Sequence, residues 1–151
     1  MAREDAIAAV LNADATLLAT LTGGVYARGA LGRVGLTRET AAAAFDGTTG
    51  YLLPCAVVVE RAEVPDGNVQ DQDAQIASAA QIVEVYVYED AGYTNIDTAL
   101  DRIYALLQGY QLTGAFPLEW ANTINRQRDT GALDGASLAR IDFAVYQVQG
   151  V

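Results

Sequence analysis

The sequence predicts an α+β domain built on a mostly antiparallel β-sheet, on three observations. Val83, Val85 and Val87 alternate with Ile82, Glu84, Tyr86 and Tyr88, the period of two in β-branched and aromatic residues that marks a strand. After Asp90-Ala91-Gly92 the period changes: Ile96, Leu100, Ile103 and Leu107 recur at helical spacing, so an amphipathic helix folds back over one face of the sheet. Further strand patterns at 55–61, 118–124 and 139–148 are separated by turn-rich segments, which gives the central strand its neighbours.

Taken in order, residues 4–21 are helix formers with Ile7, Val10 and Leu11 on one stripe, interrupted at Asn12-Ala13-Asp14. Asp14 can cap a second short turn carrying Leu17, Leu18 and Leu21, and Gly23-Gly24 stops it, so the helix is broken. A short strand is expected at 25–28. Residues 29–50 hold five glycines and no steady periodicity; a long loop is predicted there, either an arm that reaches a neighbouring molecule or a mobile surface loop. The glycines at 29, 32 and 35 do not have the spacing of a dinucleotide-binding turn.

A strand at 55–61 leads into an acidic stretch rich in turn formers, predicted to be a solvated hairpin loop at 63–75. Asp71 and Asp73 stand at one-in-two spacing, but neither the glycine nor the closing glutamate of a calcium loop follows. The loop joins two antiparallel neighbours and so gives the sheet its middle. In the helix at 96–107, Thr94 or Asn95 can cap the first turn and Gly109 can end the last. In the strand beyond it, Leu118, Trp120, Asn122 and Ile124 alternate with Glu119, Ala121 and Thr123, and Arg126 and Arg128 extend it. The final strand turns Ile141, Phe143 and Val145 one way and closes the chain as a hairpin.

Composition narrows the function classes. The 151 residues make one domain, 1–151, large enough for a core and too small for two. At 52% hydrophobic and 19% charged the chain is globular and apolar enough to raise self-association. Nineteen acids against nine bases give a net charge of -10, which disfavours any general grip on nucleic acid or anionic membrane. Histidine and lysine are absent, and Cys55 is the one cysteine. Cys/His zinc sites, Ser-His and Cys-His catalysis, Schiff-base lysines and an intrachain disulfide are thereby excluded. No cofactor and no metal is expected. Cys55, inside an apolar run, reads as core rather than as a nucleophile. The acidic N-terminus and the lack of a long apolar run predict a soluble product made in the cytoplasm, with no membrane partner.

Paired carboxylates are the remaining catalytic chemistry, with Glu84 and Asp142 as an example. Glu84 sits among Ile82, Tyr86 and Tyr88 on the second face of the central strand. A charge on an apolar face is paired or at an interface, and an arginine partner is expected. That second face is too apolar for solvent, so another helix of the chain or another subunit covers it. Arg126 and Arg128 can grip a carboxylate or phosphate, or can be a solvated edge that discourages sheet addition. No residue here demands an enzyme.

The order of elements, with the words Gly35-Leu36-Thr37-Arg38-Glu39-Thr40, Ala44-Phe45-Asp46-Gly47, Leu53-Pro54-Cys55, Val83-Glu84-Val85-Tyr86-Val87-Tyr88-Glu89-Asp90 and Asp101-Arg102-Ile103-Tyr104-Ala105-Leu106-Leu107, resembles the tail-completion proteins of long-tailed phages. These are the tail terminator, or head-tail joining, group. The segment at 29–50 departs from it, being longer than the link many terminators have. The resemblance implies a structural virion protein without catalytic residues, assembled in the host cytoplasm. It would form a ring, usually a hexamer, at the head-proximal end of the tail, ending tail-tube polymerisation and docking to the head connector or stopper while DNA passes through its channel. The partners implied are further copies of the chain, the tail-tube protein and the connector. The interface residues expected are Ile82, Glu84, Tyr86, Tyr88, Arg38, Phe45, Arg126 and Arg128. A head-side neck adaptor and the tube subunit itself are the alternatives within the same class. A small carboxylate enzyme and a ligand-binding domain are the alternatives outside it.

Overall fold

The computed structural model describes residues 3–71, 76–90, 93–128 and 136–149, with the backbone alone at 62–71, 76–80, 126, 128 and 147–149. Helices α1 (Arg3–Asn12) and α2 (Ala15–Thr20) lead into strand β1 (Val25–Ala27) and a single turn, α3 (Arg28–Leu31). Strands β2 (Cys55–Asp71) and β3 (Ile76–Glu89) precede helix α4 (Ile96–Leu107), and β4 (Glu119–Arg128) and β5 (Ser137–Gln149) close the chain. The strands form one sheet in the order β1-β2-β3-β5-β4. Every pairing is antiparallel except β1 with β2, which is parallel. This is the α+β class expected from the sequence.

The apolar alternation of β3 decides what lies above and below the sheet. Val83, Val85 and Val87 are fully buried, together with Ile141, Phe143 and Val145 of β5 and the Ile96, Leu100, Ile103 and Leu107 stripe of α4. Ile7 and Leu11 of α1 and Leu17 and Leu21 around α2 complete that layer. The break between α1 and α2 has a definite structure: the Asp14 carboxylate accepts the Leu17 amide at 2.8 Å. It also receives Arg102 from α4 in a two-pronged contact, Nε to Oδ2 at 2.9 Å and Nη2 to Oδ1 at 2.7 Å. One side chain thus caps α2 and ties it to α4. Glu4 does similar work at the other end of α1, accepting the Gly29 amide at 2.7 Å and the Glu60 amide at 3.2 Å.

Several local expectations give way to tertiary context. Residues 63–71, predicted to be loop, continue β2, and residues 76–81 pair with both β2 and β5; residues 72–75 lie outside the described residues. The pairing slips between Glu60 and Glu63 and again between Asp66 and Asp71. Because β1 pairs only with residues 56–58, the far half of β2, which holds Pro65, has no second neighbouring strand among the described residues, the kind of edge on which proline is tolerated. Asn95, the residue before helix α4, makes no side-chain cap; instead the buried Glu89 carboxylate accepts the Asn95 amide at 2.8 Å. A carboxylate at a helix N-terminus also complements the helix dipole. Gly109, with φ 79°, follows the last turn as expected.

The simple alternation predicted for β4 is interrupted. Trp120 pairs with Phe143 and Asn122 with Asp142, so Ala121 is an extra residue, and a second slip falls between Ile124 and Gln127. These bulges put Trp120 and Thr123 on the helix-covered face and Asn122 and Ile124 on the other, whereas strict alternation would have kept Trp120 and Asn122 together.

The Asp14–Arg102 pair sets a pH dependence. Arg102 holds the Asp14 carboxyl at about 2, below its ordinary 3.8, and the Leu17 amide adds to the effect. Since the folded-state value is the lower one, the stabilisation is present above pH 3.8 and fades as the pH falls toward 2. Asp14→Asn keeps a capping side chain and loses the charge. The melting-temperature gap between wild type and Asp14→Asn should be largest above about pH 4 and should close on acidification; a constant gap would show that the charge is not what binds α2 to α4.

Candidate subunit interface

The second face of the sheet carries most of the residues expected at an interface, and the chain itself covers half of it. Leu31, Leu36, Ala41, Ala44 and Leu52 are buried against Cys55 and Val57 of β2, with Phe45 and Tyr88 packed at the margin. Residues 29–52 therefore fold back over their own sheet. A short 3₁₀ turn at Ala42–Ala44 and a bridge from Phe45 to Leu52 are their main regular features beyond α3. The sequence readings of an arm or a mobile loop both missed this, because the buried residues have no steady spacing. Cys55 is fully buried beneath the segment, and burial pushes its thiol up to about 12. A thiol held protonated at neutral pH is a packing group.

Arg38 and Phe45 come together on the outside of this cover. The Arg38 guanidinium lies 5.5 Å from the centre of the Phe45 ring and donates from Nη2 to the Gly50 carbonyl at 2.9 Å. The loop between them is closed by Asp46, whose Oδ1 accepts the Thr48 and Thr49 amides at 2.8 and 2.9 Å. Those amides hold its carboxyl below the usual range.

The uncovered half of the face holds a charge cluster in an aromatic frame. Glu84 and Asp142 lie directly opposite each other on β3 and β5, and each is only 4% exposed. Two carboxylates in that position repel. Arg140, opposite Tyr86, lies between them: its Nη1 is 3.0 Å from Glu84 Oε2, its Nε is 3.0 Å from Asp142 Oδ1, and its Nη2 donates to Asp142 Oδ2 at 3.1 Å. Burial opposes the arginine's charge, but Tyr86, Asp142 and Glu84 outweigh it and hold the guanidinium protonated. Arg61 approaches Glu84 from the rim at 3.7 Å, and the Tyr86 hydroxyl donates to Glu84 Oε1 at 3.3 Å. Glu84 thus has the arginine partner expected of it. Tyr86 and Tyr88 stack at 6.2 Å with their planes 12° apart, and Arg140 lies 5.8 Å from the Tyr86 ring centre. Ile82, Tyr86 and Tyr88 are half-buried.

The two carboxylates therefore share Arg140 as their counter-ion, and none of the described pockets is lined by either of them. The backbones of Arg126 and Arg128 lie in β4, but their side chains are outside the described residues. Among the described residues no cluster of three or more potential metal ligands forms, and no helix is long and apolar enough to cross a membrane. Sequence reasoning missed a second surface, a groove between α4 and the outer strand β4, because the β4 bulge that brings Trp120 beside Tyr104 leaves no periodic signature.

No protein-family model matches the sequence, and no curated protein does. Among solved structures, the chain is similar to one chain of the virion of a native gene transfer agent (GTA) particle. The TM-score is 0.59 at 17% identity, over 95% of this chain and 92% of that one. The two share a fold.

The cluster makes a stability prediction. Arg140→Met strands two buried carboxylates and should cost about 3 kcal/mol in urea unfolding, while replacing Glu84, Asp142 and Arg140 together by Leu, Leu and Met should restore most of the loss. A single Arg140→Met within about 0.5 kcal/mol of wild type would mean that water, not Arg140, satisfies the carboxylates.

Proposed function

We propose that this protein is a structural virion component that assembles into a ring, with six copies, at the head-proximal end of a phage-type tail. There it ends tail-tube polymerisation and joins the tail to the head connector while leaving a channel for DNA. The observation that carries the reading is the end-to-end fold likeness to a chain of a virion particle. The chemistry is consistent with it. The role needs no catalytic residue, and none of the usual nucleophile-base pairs can be built without histidine or lysine. A net charge of -10 suits a channel past which DNA moves without sticking, since phosphate contacts to cations create non-specific DNA affinity. Arg140, one of the arginines that could line such a channel, is held by Glu84 and Asp142.

The half-open second face is the surface this reading assigns to contacts with neighbours. Ile82, Tyr86 and Tyr88 supply aromatic and aliphatic area, Glu84 is neutralised, and Arg38 and Phe45 stand at the edge of the covering segment. Interface cores favour this composition, aromatic side chains with few unpaired charges.

Light scattering of the pure protein, alone and mixed with the tail-tube protein encoded near it, followed by negative-stain imaging, tests the proposal. Rings, and tubes capped at one end with growth stopped, are expected. Rings that ignore tubes and bind portal assemblies would move the protein to a head-side adaptor, and long tubes formed alone would make it the tube subunit. A monomer indifferent to both would overturn the assembly reading.

A further inference from the structure

Two features near opposite edges of the sheet are complementary in charge, and neither has an ionic partner among the described residues. The first is the turn Gly32-Arg33-Val34-Gly35, just after α3 on the β1 side. Gly32 and Gly35 have φ of 72° and 73°, values that a side chain rarely tolerates. The turn is fixed on both flanks: Leu31 and Leu36 are buried, Arg28 Nη1 donates to the Gly32 carbonyl at 2.8 Å, and Thr40 Oγ1 donates to the Gly35 carbonyl at 2.6 Å. At its tip Val34 is 67% exposed, the most exposed large apolar residue among those described. Arg33 beside it is exposed and, of the seven arginines with described side chains, is the one without a partner among the described residues.

The second feature is the groove of about 490 Å³ between α4 and β4, the strand at the other edge of the sheet. Leu100 and Ile141 line it. Tyr104 and Trp120, 45% and 49% exposed, meet edge to face across it at 6.4 Å, and Trp120 Nε1 is held by Thr123 Oγ1 at 2.8 Å. Asp97 and Asp101, one turn apart on α4, add two exposed carboxylates. The nearest cation in sequence, Arg102, is bound to Asp14, so these two carboxylates are unpaired among the described residues.

We propose that the Arg33-Val34 turn of one copy seats in the α4–β4 groove of a second copy, Val34 against Tyr104 and Trp120 and Arg33 between Asp97 and Asp101. The proposal rests on the ring reading and specifies its subunit contact. Turn and groove are different surfaces at opposite ends of the molecule, so the contact is head-to-tail, the kind that closes a ring when its rotation permits. The occupant is a second copy because the groove asks for a cation beside a small apolar group, and this chain presents that pair, unpartnered among the described residues, on a fixed turn.

Sedimentation velocity on the full chain tests this with Arg33→Glu, with the pair Asp97→Arg and Asp101→Arg, and with all three together. The residues are exposed, and circular dichroism will show that each variant folds. Either charge reversal should weaken self-association at least ~10-fold, and the combined variant should recover most of it. Rings that persist in Arg33→Glu, or a combined variant no better than its parents, would overturn this contact while leaving the ring reading intact. A wild type that stays monomeric with and without tail-tube protein would overturn both.

Discussion

The structure depends on one constraint: the central strand must be buried on both sides. Val83, Val85 and Val87 need a cover on one face and Ile82, Tyr86 and Tyr88 on the other, because β3 lies between β2 and β5 and has no edge of its own. Antiparallel sheets usually leave one face to water. Here the helices α1, α2 and α4 close the first face and the irregular segment 29–52 closes half of the second. The buried arginine cluster is what allows the remaining half to stay open, since it places a polar group at the centre of an otherwise apolar surface without leaving a bare charge.

Elements with a strong period were legible in the sequence. The α4 stripe, the alternation in β3, the inward set Ile141, Phe143 and Val145, the Asp14 cap and the closing hairpin all stand where the spacing puts them. What could not be read has physical causes. Leu31, Leu36, Ala41 and Ala44 are buried by one layer of coil whose path no period describes. The turn-forming composition of 63–71 reads as loop, yet the backbone of residues 76–81 offers a partner, and pairing overrides the weak intrinsic preference. The bulges in β4 shift which residues share a face, and a single extra residue at Ala121 is invisible to an alternation count. Glu89 serves α4 from six residues before Asn95, outside the window in which a cap is normally sought.

The residues expected at an interface divide along the same line. Ile82, Glu84, Tyr86 and Tyr88 lie on one face because a strand's period is two, which the sequence dictates. That Glu84 lies opposite Asp142 with Arg140 between them depends on the register of β3 against β5, which no local pattern specifies. A one-residue slip would put Asp142 on the helix-covered face among Val83 and Val85 and would turn Ile141, Phe143 and Val145 out of it. The ion cluster therefore also fixes the register: the arrangement in which both acids reach one arginine is the one in which the apolar faces match.

Charge decides how such a chain can meet a copy of itself. With ten more negative than positive charges, two copies repel at long range. Salt screens that repulsion beyond about 10 Å, but it does not remove like-charge contacts inside an interface. Association must then bring together surfaces of unlike sign, although cations are scarce. Most of the described arginines are already engaged: Arg102 with Asp14, Arg140 and Arg61 with the Glu84 cluster, Arg28 and Arg38 with backbone carbonyls. A two-fold pairing presses one patch against its own copy, so that patch must carry both signs of charge to be self-complementary. A head-to-tail contact avoids this, because the two surfaces that meet are different and can carry opposite charge. In an acidic chain whose described arginines are mostly engaged, a contact between two different surfaces meets this requirement with fewer free cations than a self-paired patch, which is why the charge distribution is consistent with the proposed ring.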